Sequence, residues 1–292
     1  LQVLCKKFIL SLYLLEKRIS IMVLKITALL ENQVFAPYKT VLTGKPGLSL
    51  LIQDQDTTIL FDTGPDGSFI DNAKKLNIDL SKVSAVVISH GHFDHCGGLP
   101  FFSTDAKVIC HPEVKNERYY GWVITDNKAL TFKKLSKQVD YGKFDTFFSK
   151  GETYINDNFI YSGEIKKEEN KRYGVIVGEK SEGKYSPDFV KDEGVLIYKS
   201  KHGLIIFIGC GHCGVIEIIK FCKQITGIDQ VYAVIGGLHL RYASPFKLLP
   251  IRKYIKKENI QHVYACHCSG MWGRLWLPNA KSLSTGQSIE ID

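Results

Sequence analysis

Apolar and polar positions fall into short blocks along most of the chain. Residues 23–29 form a first β-rich run. The apolar runs 47–52 and 58–61 are separated by Asp54-Gln55-Asp56, and two such runs around a tight polar turn predict a hairpin. Helical spacing follows over 69–76, with Asn77-Ile78-Asp79 as the connection. Residues 83–88 are then continuously apolar, as in a strand buried on both faces. From 112 to 150 lysines and aromatics interleave without clear period, and 163–186 is a mixed-charge, glycine-containing stretch that reads as a surface insertion. Order returns at Gly194: strands are predicted over 195–198, 204–208, 231–235 and 263–265, and helices over 215–225 and 246–258. No internal repeat and no Pro- or Ser-rich linker interrupts the pattern. Strands followed by alternating strand and helix predict two sheets flanked by helices in one domain over 22–292.

Composition narrows the class. With 45% hydrophobic and 23% charged residues in 292, the chain has the makeup of a folded globular protein. No apolar run approaches the ~20 residues of a membrane-spanning helix, so no membrane association is expected. The net charge is +8, of which the first 21 residues carry +3 (Lys6, Lys7, Lys17 and Arg18 against Glu16). That surplus suits a small anionic substrate and is too modest to argue for nucleic acid. The sequence opens on Leu1, and the short Lys-flanked apolar run over 8–15 lacks the length and cleavage site of a secretory signal. Translation is therefore expected to begin at Met22, with 1–21 an upstream extension. Of eight cysteines, Cys96, Cys210, Cys213, Cys266 and Cys268 lie beside or within three residues of a histidine. This is metal chemistry in a reducing compartment sooner than a disulfide scaffold, and the cytoplasm is the expected location.

The chemistry concentrates in His90-Gly91-His92-Phe93-Asp94-His95, directly after the 83–88 strand. A tight loop leaving a strand end can fold three imidazoles and a carboxylate around a small centre, and such donors suit zinc or another borderline divalent metal. Three more histidines stand just past apolar strands: His212 after Gly209-Cys210-Gly211, His239 after Gly236-Gly237-Leu238, and His267 after Cys266. Ligands bind at the carboxyl ends of strands in layered α/β proteins, so four histidine-bearing strand ends point to one pocket. Each has a plainer alternative: His212 as a turn residue, His267 as a buried histidine, His239 as a backbone partner. His111, His202 and His262 read as structural or surface. A rival arrangement pairs Cys210 and Cys213 with Cys266 and Cys268 in a structural zinc site, but the Cys-x-Cys spacing is tighter than the usual knuckle.

At this point a resemblance emerges. The His90–His95 motif, preceded by its strand and by Asp62-Thr63-Gly64, resembles the metallo-β-lactamase superfamily. More narrowly, Leu30-Glu31-Asn32, Gly47-Leu48-Ser49-Leu50, Ile208-Gly209-Cys210-Gly211-His212, Gly236-Gly237-Leu238-His239-Leu240 and Ala265-Cys266-His267-Cys268-Ser269-Gly270 resemble its metal-dependent hydrolase subgroup, which includes an archaeal dihydropterin ribofuranosylaminobenzene-phosphate synthase. The resemblance implies an α/β fold, a four-layer αββα sandwich with one or two metals at the sheet edge. It implies His90 and His92 on a first metal, Asp94 and His95 on a second, His267 as the last histidine ligand, and Asp62 as a carboxylate orienting a ligand. Superfamily members place a bridging aspartate after the strand that ends here at Ile208; this chain has Cys210 there, and the resemblance leaves open whether Cys210 or His212 completes the site. The expected cofactor is Zn2+, one or two ions, with Mn2+, Fe2+ or Mg2+ as alternatives. The expected activity is hydrolysis of a small anionic, phosphorylated or ester-containing molecule by metal-activated water, with Asp94 and His239 as catalytic residues. The alternatives are a pterin transfer that releases pyrophosphate, and a catalytically silent metal- or ligand-binding protein.

Overall fold

The computed structural model describes residues 23–125, 127–166, 176–180 and 184–291. The extension expected over 1–21 and parts of the stretch 163–186 lie outside the described residues.

The chain opens with β1 (Leu24–Leu30), β2 (Ser49–Gln53) and β3 (Thr58–Phe61). The expected hairpin joins β2 to β3 antiparallel, from Leu50 opposite Phe61 to Gln53 opposite Thr58. Its polar turn closes because Asp54 Oδ1 accepts from the backbone N–H of Asp56 and Thr57. After α1 (Ser68–Lys75) come β4 (Ala85–Val87), the one-turn α2 (Phe93–Cys96) and β5 (Lys107–Cys110). A hairpin of β6 (Arg118–Thr125) and β7 (Lys128–Lys134) follows, then β8 (Thr146–Phe148), β9 (Thr153–Tyr154) and β10 (Phe159–Tyr161). β11 (Ile176–Lys180) and β12 (Lys184–Pro187) precede β13 (Leu196–Ser200), β14 (Gly203–Ile208), α3 (Val215–Thr226), β15 (Val231–Gly237), α4 (Pro245–Lys257) and β16 (His262–Cys266). α5 (Gly270–Trp276), β17 (Ala280–Lys281) and β18 (Ser288–Ile291) close the chain.

Two seven-stranded sheets result, ordered β18-β1-β2-β3-β4-β5-β8 and β17-β16-β15-β14-β13-β10-β9. They face each other across a core that includes Ile26, Leu50 and Phe61 on one side and Tyr198, Phe207 and Ile235 on the other, with the Phe61 and Phe207 rings 6.4 Å apart. The outer face of the first sheet buries Leu51, Leu60 and Val86 with Phe69 and Ala73 of α1. The outer face of the second packs Ile206 and Val234 on Ile218, Ile219 and Cys222 of α3 and on Leu248, Ile251 and Ile255 of α4. Layers therefore run helix, sheet, sheet, helix, as expected. Both faces of each central strand are covered, which is why β14 reads as an unbroken apolar run.

The middle of the chain departs from expectation. β6, β7, β11 and β12 form a third, four-stranded sheet ordered β12-β11-β6-β7, so part of the stretch read as an insertion is paired with part of the segment that showed no period. This sheet bears on the site: past β7, Leu135 accepts from the backbone N–H of Phe93, at 2.7 Å, and Ser136 bridges His92.

In the first sheet β3, β4, β5 and β8 are parallel, and in the second β14, β15, β16 and β17 are parallel. The carboxyl ends of both parallel sets supply the loops that carry the histidines.

Candidate metal centre

β3 ends at Asp62, which adopts a left-handed backbone (φ 57°) that a non-glycine residue rarely takes up. Its buried carboxylate organises the neighbouring loop. Oδ1 accepts from Ser89 N–H at 2.8 Å; Oδ2 accepts from Ser89 Oγ at 2.8 Å and stands 2.7 Å from His95 Nδ1. Ser89 Oγ in turn lies 2.9 Å from His90 Nδ1. Since the hydroxyl donates to Asp62, it accepts from His90 Nδ1–H. Both rings are thus held in the tautomer that leaves Nε2 as a lone-pair donor, the arrangement that outer carboxylates impose on metal-binding imidazoles. Gly209 permits this packing, because a Cβ there would stand 2.1 Å from Ser89 Oγ.

His212 reaches the loop from the end of β14. Glu193, just before β13, fixes that turn by accepting from His212 N–H at 2.8 Å and Cys213 N–H at 2.6 Å. The His212 ring stands 5.0 Å from each of the rings of His90 and His92, centroid to centroid. His267 comes from the end of β16, also left-handed (φ 49°). Its N–H donates to Glu31 Oε1 at 2.7 Å, its Nδ1 lies 3.0 Å from Asn32 Oδ1, and its Nε2 is 3.4 Å from Asp94 Oδ2.

Among the described residues two trios that share no member have donor atoms within 4.8 Å of one another, His90, His92 and His212, and Asp94, His95 and His267; Cys210, His239 and Cys268 make a sulfur-bearing group of the same reach. Cys210 falls between them, within the same distance of donors on His90 and His95. His239, left-handed as well, sets its ring 4.7 Å from that of His212 and its Nδ1 3.5 Å from Cys210 Sγ. Cys268 completes the wall, its Sγ 3.2 Å from Cys210 Sγ. The rival four-cysteine site is not assembled: Cys213 packs in the apolar cluster under α3, and Cys266 packs between the sheets.

Burial and the mutual proximity of its charges set the protonation of the cluster. Burial pushes His90 well below the ordinary imidazole value, helped by the neighbouring His95, His92 and His212, and brings His92 down to about 3. Burial acts the same way on His95, but the Asp62 and Asp94 carboxylates outweigh it and lift His95 to about 9. Burial also opposes ionisation of Cys268, yet the hydrogen bond from Cys210 and the adjacent His239 and His267 bring it well below a free thiol. His92 Nε2 and His95 Nε2 are buried without a hydrogen-bond partner among the described residues. Buried polar atoms are rarely left so, and imidazole nitrogens aimed into a shared space are the donors a divalent metal takes, His95 once it has shed its second proton. The residues present therefore fit the group.

Of the residues singled out from the sequence, His90, His92, Asp94, His95, Cys210, His212, His239 and His267 all meet in this one cluster, and Asp62 stands directly behind it. His111, His202 and His262 make their contacts elsewhere, His111 with Glu113 and Glu164, the other two on either side of Tyr232. Sequence reasoning missed Glu193, Arg118 and Asp192, and gave Cys268 no part in the cluster. The available signal was Asp192-Glu193 immediately before a buried strand, where carboxylates have little reason to stand unless they are bonded.

The fold and cluster define a class: two facing mixed sheets with a histidine-rich, divalent-metal-type site where their strand ends meet. Residues 42–213 match the family model of the metallo-beta-lactamase superfamily, and the chain belongs to that superfamily. It is 30% identical over 267 residues, 85% of this chain and 88% of the relative, to the 7,8-dihydropterin-6-methyl-4-(beta-D-ribofuranosyl)-aminobenzene-5'-phosphate synthase of Methanocaldococcus jannaschii. Among solved structures it resembles Tm1679, a metal-dependent hydrolase of the beta-lactamase superfamily, with a TM-score of 0.77 at 25% identity over 92% of this chain and 99% of that one. The metallo-beta-lactamase fold protein YhfI from Bacillus subtilis matches in fold, with a TM-score of 0.52 at 13% identity and the same coverage. No helix among the described residues is long and apolar enough to cross a membrane.

Proposed function

We propose that the chain is a metal-dependent hydrolase of a small anionic substrate, with one divalent ion held by His90, His92 and His212 and a second by Asp94, His95 and His267. The observation that carries this reading is the pair of donor trios, with the buried Nε2 atoms of His92 and His95 left without hydrogen-bond partners among the described residues. A divalent metal, when bound, supplies Lewis acidity and a water acidified into the neutral range. Zinc suits these nitrogen, carboxylate and thiol donors best.

The chain's own residues do the rest. Asp62 and Ser89 hold the His90 and His95 rings, and Asn32 holds His267, so the donors need no reorganisation. Asp94 is the carboxylate of its trio that stays partly exposed, at 21% of its side chain, and is suited to orient an attacking water. His239 stands at the rim beyond the trios; Cys268 lifts its pKa against the effect of burial, so it can hold a proton and deliver it to a leaving group. Cys210 occupies the position between the trios and contributes its sulfur there.

The test is hydrolysis of p-nitrophenyl phosphate, or a related phosphodiester, by protein loaded with zinc or manganese. A second reading, the pterin transfer, draws support from the archaeal relative, which is named as a synthase. Pyrophosphate release that requires both a dihydropterin methyl diphosphate and an aminobenzene ribofuranosyl phosphate, with no esterase or phosphatase activity, would favour it over hydrolysis.

A further inference from the structure

Next to the donor trios, on the Asn32 side of His267, lies a recess of about 210 Å³ walled by Asn32, Arg241, His267, Met271, Trp272 and Arg274. We infer that this recess is an anion-binding subsite in which Arg241 and Arg274 take a phosphate or carboxylate carried by the substrate at a distance from its reacting group. The inference rests on the proposed hydrolytic centre and names the substrate class that centre would serve.

The local backbone is shaped for this recess. After β16 the left-handed His267 and then Gly270 (φ 62°) turn the chain into α5, and a Cβ on Gly270 would come within 3.0 Å of Arg241 Cγ. Arg241 is anchored at its base: its N–H donates to Cys268 O at 3.0 Å, and one Nη2 donates to His267 O at 3.3 Å. Among the described residues the remaining guanidinium N–H groups have no hydrogen-bond partner and are left for a ligand. The side chain of Arg274, on α5, makes no hydrogen bond or ion pair among the described residues. Its charge is felt at a distance by Glu31 and Cys266.

Glu31 is the acidic side chain on the recess, and it does not occupy the guanidinium groups. Its two oxygens accept from the backbone N–H of Gln33 and His267, each at 2.7 Å, and it is buried behind them. Two guanidinium groups against one engaged carboxylate leave the recess cationic. Guanidinium matches phosphate and carboxylate oxygens in a two-point geometry, which is why a pair of arginines selects such groups.

Size limits what enters. A recess of 210 Å³ is below the usual range for a whole small-molecule site, so it admits a terminal group and not a complete substrate. Trp272, 44% exposed, and Met271, 68% exposed, offer an apolar rim to the part of the ligand that spans from the recess to the trios. The substrate class is therefore a bifunctional molecule, with a hydrolysable group at one end and an anionic group at the other.

Binding tests this without relying on turnover. Phenyl phosphate and benzoate are titrated against the tryptophan fluorescence of full-length protein, metal-loaded and metal-free, and of Arg241→Gln and Arg274→Gln, with circular dichroism confirming that each variant is folded. Saturable binding of at least one probe is expected in both metal states, weakened about tenfold or more in each variant, the size of a lost charge-assisted hydrogen bond. Tighter binding of phenyl phosphate would make the group a phosphate; tighter binding of benzoate, a carboxylate. Binding that is the same in both variants as in the parent, or absent once metal is removed, would overturn the subsite. Because this readout does not need hydrolysis, a failure of the hydrolytic reading alone would leave it standing.

Discussion

Arg118 and Asp192 face each other fully buried in a two-point pair, Nη2 to Oδ1 at 2.8 Å and Nη1 to Oδ2 at 3.1 Å. The same Oδ2 accepts from Gly91 N–H at 2.7 Å, between His90 and His92, and Arg118 Nε reaches Asp188 at 2.7 Å. A surface-type residue from the start of β6 in the small sheet thus braces the loop that carries four of the six trio donors. Arg118→Met would leave a buried carboxylate without its cation, and loss of one partner of such a pair costs about 3–5 kcal/mol. A clear drop in thermal midpoint with a matching loss of metal is expected; a midpoint within a degree of the parent would mean that the pair does not brace the loop.

The two donor trios make separate predictions about stoichiometry. His92→Ala and His212→Ala should each lower the bound metal by about one equivalent, and Asp94→Ala and His267→Ala should remove the other. Elemental analysis of protein purified and dialysed in parallel gives the count. Equal retention by all four variants would exclude both sets of ligands.

Cys210 and His239 separate ligation from turnover. If the Cys210 sulfur completes the centre, Cys210→Ser loosens metal and shifts its dissociation constant upward by tenfold or more, the scale of a lost or weakened ligand. His239→Ala should keep its metal and lose most of its kcat. Metal lost with His239→Ala would move that residue into the ligand set, and unchanged kinetics would reduce it to a structural role.

Stability of the metal-free protein should depend on pH in both directions. His95 is raised from 6.5 to about 9, so its stabilising contribution is complete below pH 6.5 and is lost as pH rises through 9. His90 and His92 are lowered, His92 to about 3, so their contribution is present above 6.5 and is lost as pH falls, because the unfolded chain takes up protons that the fold refuses. Asp192, raised to about 6 by burial against the pull of Arg118, acts in the opposite sense between 3.8 and 6. Thermal midpoints measured in chelator should therefore peak near neutral pH. Asp62→Asn should flatten the alkaline side, and an alkaline side unchanged in that variant would show that His95 does not owe its charge to Asp62.

Much of this was legible in the sequence. Both halves of the sandwich follow from apolar runs with clear ends, and the histidines are found because each stands just past such a run. The small sheet was not legible for a physical reason. Tyr120, Trp122 and Ile124 do alternate along β6, but they turn their apolar side outward, exposed by 45%, 51% and 58%, and the lysines of β7 interrupt the pattern on its partner strand. Alternation marks a strand to the eye only when its apolar face is the buried one. Glu193 and Asp192 were missed for a different reason: their partners are backbone N–H groups and an arginine far away in sequence, and no local spacing reports such a bond. The grouping of His212 with His90 and His92, and of His267 with Asp94 and His95, required the relative placement of two sheets, which spacing along the chain does not carry.

The donors come from both sheets, and several of their supports join residues as distant as Asn32 and His267, 235 positions apart. Neither sheet alone holds either of the two proposed ligand sets: His90, His92, Asp94 and His95 leave the first, while His212 and His267 leave the second. Metal uptake therefore reports that the halves have docked, and contacts of such long sequence separation form late and slowly in folding. An ion held across that seam shifts the equilibrium toward the docked state by mass action, about 2.7 kcal/mol at a hundredfold excess over its dissociation constant. The centre couples chemical competence to tertiary closure, so a partly folded chain carries neither the ion nor the activity that the ion would support.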